Sequence, residues 1–299
     1  MSSISIATLK KQTPGLALTA LLTGAVAISF SAIFVRLSEV GPITTAFWRM
    51  SLSFPVFWAL LAQQQPARPA TPARQDHRWL IAAGLMMAGD LIAWHWSIKF
   101  TTIANSVLLT NLAPIFVTIG GWLLFRQPVT RLFVAGMGLA IVGAMMLVGA
   151  SFSLSHEHML GDLLALTAAV FYGSYILAVK RGRETHSTAT VMAWAAGVSS
   201  LVLLPTAFLA EGALFAASLS GWGVLLGLAL FSHAGGQGLI TFALAHLPAS
   251  FSSVTLLLQP VLSAVFAWLL LNEALTPGQM LGGLVVLTGI FLARRASLA

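Results

Sequence analysis

A chain of 299 residues that is 58% hydrophobic and only 8% charged cannot clothe itself for water, since ordinary soluble domains are about 25% charged. The net charge of +7 does not signal nucleic acid, because the basic residues sit between apolar runs and form no stripe interleaved with aromatics. With no Cys there is neither a disulfide framework nor a Cys metal centre, and the composition predicts an all-α integral membrane protein whose core is a helical bundle in lipid.

A helix needs about 20 predominantly apolar residues to cross a bilayer, and the sequence offers ten such runs. Lys10 and Lys11 precede the first, 15–36, in the manner of a secretory leader. Residues 12–35 carry no charge, however, and outrun the ~7–15 residues of a leader's apolar core, so an uncleaved first span is expected. Spans 2 and 3, 43–63 and 79–99, flank QQQPARPATPARQDHR, Gln63–Arg78, which reads as a flexible surface loop. Spans 4 to 7 are 103–125, 132–150, 160–180 and 188–210. Residues 212–272 contain no Asp, Glu, Lys or Arg. They divide at HLPAS, His246–Ser250, where Pro248 favours a turn, into spans 8 and 9, 221–245 and 249–271; span 10 is 278–293.

With the N-terminus inside, twelve of the fifteen Lys and Arg residues face the cytoplasm, Arg36 and Lys99 face outside, and Arg49 lies within span 2. An excess of Lys and Arg in cytoplasmic loops is the usual orientation signal, and it places both termini in the cytoplasm.

A shift of 146 residues lays the second half on the first: Ser106 meets Ser252, Pro114 meets Pro260, Trp122 meets Trp268, Gly136 meets Gly282 and Gly143 meets Gly289. Two five-span units result, 1–150 and 151–299. Because five is odd, the second enters the membrane from the opposite side, which predicts inverted repeats around a central cavity. That architecture belongs to transporters with a site near the midplane. Pro114 and Pro260 interrupt apolar runs at matching places and free the carbonyls of Thr110 and Leu256, which are tolerated where they line a wet cavity or are buried in protein. Asn111 and Gln259 stand beside these breaks as replacement donors.

Asp90 is the one acid well inside a span. A charge at a helix centre costs about 2.5–3.5 kcal/mol on insertion scales, so intramembrane ionisable groups are read as functional; Asp90 is expected to pair with a substrate ammonium or to titrate. Trp94, four residues on, shares its face and could stack on substrate or pack against lipid. His95 points elsewhere and is expected to be packed or hydrogen-bonded. His233 and Gln237, also four apart, share a face and are expected to line the cavity opposite span 3 or to hydrogen-bond between helices, with Gly235 and Gly236 permitting close helix approach or unwinding. Tyr172 and Tyr175 are three apart as cavity-lining or core residues. Arg49, about six residues into span 2, is expected to snorkel to the outer surface, with holding a carboxylate as the alternative, and Trp48 and Trp194 to anchor at the interface. His156, Glu157 and His158 show too few ligands for a metal site.

The chain resembles the drug/metabolite transporter superfamily in its ten-helix EamA-type branch. The resemblance is carried by FWRMSL (Phe47–Leu52), the two Pro–Trp segments, NSVLLTNLAP (Asn105–Pro114) and NEALTPGQMLGG (Asn272–Gly283). Within that branch it is most similar to YddG-like amino-acid exporters. The resemblance implies two inverted EamA-type repeats, a basket-shaped bundle and export of amino acids from the bacterial cytoplasm across the inner membrane. Residues 15–35 contain no acid, unlike the first helix of small multidrug exporters, so proton exchange for lipophilic cations by that device is not expected.

The sequence has no nucleotide-binding P-loop, no G-x-S-x-G elbow, no H-E-x-x-H and no pair of embedded acids. A gradient-driven transporter without cofactor or metal is expected rather than an enzyme. Its partners are the lipid bilayer and a small-molecule substrate, an amino acid or related metabolite, with another metabolite or a drug as the alternative cargo. Protons are a candidate coupling partner, and nucleic acid is not expected.

Overall fold

The computed structural model describes residues 6–64, 77–101, 103–148, 158–271 and 275–298, and every regular element among them is helical. This is what a lipid solvent requires, because a helix satisfies its backbone hydrogen bonds within one segment. The first half contains α1 (Ile6–Ser29), α2 (Ser31–Leu37), α3 (Pro42–Ala62), α4 (Arg78–Phe100), α5 (Ile103–Thr110), α6 (Ala113–Phe125) and α7 (Arg131–Val148). The second contains α8 (Met159–Gly182), α9 (Thr188–Glu211) and α10 (Leu219–Gly227), a π-helical stretch (Leu228–Gln237), then α11 (Gly238–Leu244), α12 (Ala249–Leu256), α13 (Leu258–Leu271) and α14 (Pro277–Leu298).

Among the described residues, eight helical runs are long and apolar enough to cross a membrane. Of the ten spans expected from sequence, those around α3 and α7 fall short of that measure: α3 carries Arg49 inside its 21 residues, and Arg131–Leu147 is shorter. The exterior is apolar, with Leu201 75% and Leu209 83% exposed, while polar side chains turn inward. Ser199 Oγ donates to the Gly84 carbonyl at 2.9 Å, tying α9 to α4, and Ser232 Oγ to the Ala27 carbonyl at 3.0 Å, tying the π-helical stretch to α1.

Small residues let the backbones approach. A Cβ on Gly136 would stand 2.8 Å from the Gly289 carbonyl oxygen, and one on Gly143 2.7 Å from that of Gly282. Rising numbers on α7 therefore meet falling numbers on α14, and the two helices cross antiparallel through four glycines. Gly24 and Gly236 make a second close crossing, between α1 and the π-helical stretch.

The ends of the bundle differ in chemistry. At one end His77 packs 5.6 Å from His186 and Trp194, Lys180 Nζ donates to the Leu247 carbonyl, and Ser250 Oγ donates to Gln127 Oε1. These contacts bring Arg78, Arg126, Arg181 and Arg183 to the same end. α9 carries the chain 24 residues away from it, about 36 Å at ~1.5 Å per residue, to an end held by carboxylates. There Glu211 accepts from Ile43 N and Thr44 N, both at 2.9 Å, capping α3. In return, Glu39 accepts from Ala217 N at 3.1 Å, Ser218 N at 3.0 Å and the Ser218 hydroxyl, capping α10. Each carboxylate sits where the positive end of a helix dipole favours it. Gly41 and Gly221 leave room for it, since a Cβ at either would collide with Glu211 or Glu39. Trp48 Nε1 donates to the Leu214 carbonyl at 2.6 Å and packs on Trp222, so this tryptophan belongs to the latch.

Two outcomes follow. Gly143→Leu overpacks the α7–α14 crossing, which typically costs ~1–3 kcal/mol; the Tm of the purified protein in detergent should fall, and an unchanged Tm would show that the crossing tolerates bulk. The Ser218 hydroxyl, then the Ser218 amide, hold the Glu39 carboxyl below its ordinary 4.5 against an opposing effect of desolvation. A depressed folded-state pKa gives stability that is complete above the ordinary value and is lost as pH falls from there through the depressed one. Thermal scans should therefore show stability declining below about pH 4.5, and Glu39→Gln should flatten that decline.

Candidate functional site

Two helices stop and restart inside the bundle. α5 ends at Thr110, Asn111 and Leu112 form a turn in which Leu112 N donates to the Leu109 carbonyl at 3.1 Å, and α6 begins at Ala113. α12 ends at Leu256, Leu257 N donates to the Val254 carbonyl at 3.1 Å, and α13 begins at Leu258. Pro114 and Pro260 thus occupy the first turns of α6 and α13 and do not lie in mid-helix, and a first-turn proline lacks only an N–H that has no intrahelical acceptor. Asn111 does not repair the break as expected: its Nδ2 is buried and unpartnered. The Gln259 side chain instead lines a cavity it shares with Tyr172.

Both breaks open on one cavity of about 230 Å³. Asp90 and Trp94 line it from α4, Asn111 and Pro114 from the first break, Gln259 from the second, Tyr172 from α8 and Gln237 from the end of the π-helical stretch. Five other expected residues are not in its wall. Tyr175 is fully buried, stacked 6.1 Å from Tyr172, and accepts from Gln237 Nε2 at 3.1 Å, so it supports the wall from behind. His233 is buried edge-on to Phe57, 6.3 Å away. Gly236 packs against α1, Gly235 is exposed on the outside, and Pro260 lies one residue beyond the cavity-lining Gln259. His95 bonds through Nδ1 to the Leu91 carbonyl and takes no part.

Arg49 corrects the sequence reading more sharply. It lines the cavity, and its Nε is buried without a partner. Asp90 lines the same cavity, and no ion pair joins the two among the described residues. Gln237 Oε1 and Ser31 Oγ at the wall are likewise buried and unpartnered. Leaving such a group unmet costs about 1–3 kcal/mol, and more when it is charged, so the arrangement is shaped for a polar occupant. Ser31, Thr110 and Ser253 also reach the wall; serine and threonine are common in membrane helices and gave no signal beforehand. Among the described residues no group of three His, Cys, Asp or Glu could hold a metal; His156 and Glu157 lie outside them.

The profile of the EamA-like transporter family matches residues 15–149 and, a second time, residues 159–295. The chain belongs to the EamA-like transporter family. It is 26% identical over 249 residues to a pseudopaline exporter, CntI, of Pseudomonas aeruginosa, covering 83% of this chain and 84% of the relative. It is 29% identical over 212 residues to the threonine/homoserine exporter RhtA of Escherichia coli, covering 70% and 68%. It is also 28% identical over 277 residues to a probable amino-acid metabolite efflux pump of Salmonella typhimurium, covering 89% of each chain. A solved crystal structure matches with a TM-score of 0.82 at 19% identity, over 94% of this chain and 97% of that one, a likeness of fold.

In this EamA-like transporter, Pro114→Ala returns a backbone N–H to the first turn of α6. Transport should fall several-fold while Tm holds or rises, as measured by uptake at equal reconstituted protein. Unchanged uptake would show that the break does not depend on the proline.

Proposed function

We propose that this EamA-like transporter exports amino acids, neutral and aromatic ones included, or similar small metabolites across the bacterial inner membrane by alternating access. The observation that carries the reading is the single cavity on which both broken helices and the half-buried Asp90 and Arg49 converge. Half-helix ends facing a site near the membrane midplane are how secondary transporters hold small ionic substrates. The names of the relatives, exporters of threonine and homoserine, of pseudopaline and of amino-acid metabolites, agree with this cargo. Drug-sized pockets run to about 300–1,000 Å³, so a cavity of about 230 Å³ favours a small metabolite over a drug.

In this reading the chain is two inverted five-span units, 1–150 and 151–299, giving ten spans with α3 and α7 counted among them. The double match of the family profile and the antiparallel α7–α14 crossing support it. The basic end faces the cytoplasm by the positive-inside rule, with both chain termini there, and the crossed Glu39 and Glu211 caps close the outer end. Rocking of the halves opens and closes these ends in turn. Asp90 receives the substrate ammonium, Trp94 and Tyr172 face its side chain, and Asn111, Gln237 and Gln259 supply polar contacts from the breaks.

Uptake of a labelled amino-acid panel into proteoliposomes is the direct test, with and without an imposed pH gradient to read proton coupling. Saturable flux of at least one member is expected, and Asp90→Asn should reduce it at least ~10-fold, the scale of a lost charge-assisted hydrogen bond. Absence of saturable flux for every amino acid would remove the reading.

A further inference from the structure

Four buried polar atoms at this cavity are without partners, Ser31 Oγ, Arg49 Nε, Asn111 Nδ2 and Gln237 Oε1, and the Asp90 carboxylate shares its wall; apart from the serine hydroxyl they divide by chemistry. Arg49 Nε and Asn111 Nδ2 are donors, both buried and unpaired. The Asp90 carboxylate and Gln237 Oε1 are acceptors, the latter buried and unpaired as well. The donors belong to α3 and the first break, and the acceptors to α4 and the π-helical stretch. Asn111 also stands just before the N-terminus of α6, a helix of 13 residues, whose dipole adds positive potential where Arg49 supplies a full charge.

Resting on the export reading above, we propose that Arg49 and Asn111 form a carboxylate subsite, and that Asp90 and Gln237 Oε1 form an ammonium subsite facing it. The transporter then selects substrates that carry both groups free. A guanidinium binds a carboxylate through paired, charge-assisted hydrogen bonds, and an α-amino acid meets both sets of groups at once. Met87, Leu91, Trp94 and Leu256 give the rest of the wall an apolar character suited to a side chain. Neither charged residue closes on the other among the described residues, so the substrate completes the electrostatics in place of an internal ion pair. An α-amide or an amine lacking the carboxyl leaves Arg49 and Asn111 unmet, and sites built to hydrogen-bond a group discriminate strongly against analogues without it.

The test uses the full chain, purified in detergent and reconstituted. Thermal stabilisation is measured with L-leucine, L-phenylalanine and L-threonine, each beside its α-amide and its decarboxylated amine. The same compounds then compete against uptake of the labelled amino acid. At least one free acid should stabilise the protein, with its amide and amine at least ~10-fold weaker in both readouts. Arg49→Gln should abolish the difference between acid and amide, whereas Arg49→Lys, which keeps the charge, should retain part of it. Asn111→Asp should weaken the acid further by placing a second negative charge beside it. Should Arg49→Gln fail to fold, the acid–amide comparison on the unmodified chain decides alone. Equal stabilisation by acids and amides, stabilisation by none of the three acids, or undiminished discrimination in a folded Arg49→Gln protein would each overturn the proposal. Carboxylate-dependent binding without flux would leave the subsite standing and remove export; flux with amides competing equally would do the reverse.

Discussion

An unpaired backbone group in hydrocarbon costs several kcal/mol, and this constraint governs where the chain can depart from helix. Away from the ends of the bundle, α5–α6 and α12–α13 stop and restart only where the broken segments face protein and a cavity. The local turns at Leu112 and Leu257 keep part of the hydrogen bonding through bonds to the carbonyls three residues back. The prolines then fix where the second half-helix begins, since a first-turn proline needs no acceptor. A cavity with unpaired polar atoms and a break in the helix occupy the same place for one reason: each is tolerable in lipid only in the presence of the other.

The same economy of polar groups shapes the ends. Glu39 and Glu211 each cap a helix in the opposite half of the chain, so two exposed N-termini are satisfied by carboxylates exchanged across the interface. Breaking that exchange would uncover four backbone donors together. A latch of this kind is strong while assembled and is lost as a unit. The opposite end is held by Lys180, Ser250 and the His77–His186–Trp194 contacts and carries most of the arginines there. Between the ends the glycine crossings of α7 with α14, and of α1 with the π-helical stretch, set the helices at backbone contact. Such crossings form rigid seams about which larger parts can move.

Much of the candidate site was legible because the solvent makes polarity informative. An acid in an apolar run stands out, and Asp90 does line the cavity; so do Trp94 on its face and the polar residues beside the two breaks. The failures have local causes. Arg49 was read as a snorkelling side chain because its depth along α3 allows either direction, and the direction depends on how α3 is rotated against its neighbours. His233 was paired with Gln237 on their four-residue spacing, but only Gln237 reaches the wall, because His233 is buried against Phe57 of α3. Tyr175 differs from Tyr172 by the small rotation that separates a wall from its backing. Glu39 and Glu211 gave no signal in the sequence because their partners are backbone donors 178 and 168 residues away.

The sequence by itself determined the solvent, the helical class, the places where two helices are interrupted and the family. These follow from composition, run length, proline position and motifs, all of which are local or periodic along the chain. Tertiary structure alone decided which way Arg49 turns, that its Nε and Asn111 Nδ2 remain unpaired in one cavity with Asp90, and that Glu39 and Glu211 lock one end. Those outcomes depend on the rotation and depth of one helix against another. Packing of side chains far apart in sequence sets these quantities, and no pattern within a single segment encodes them.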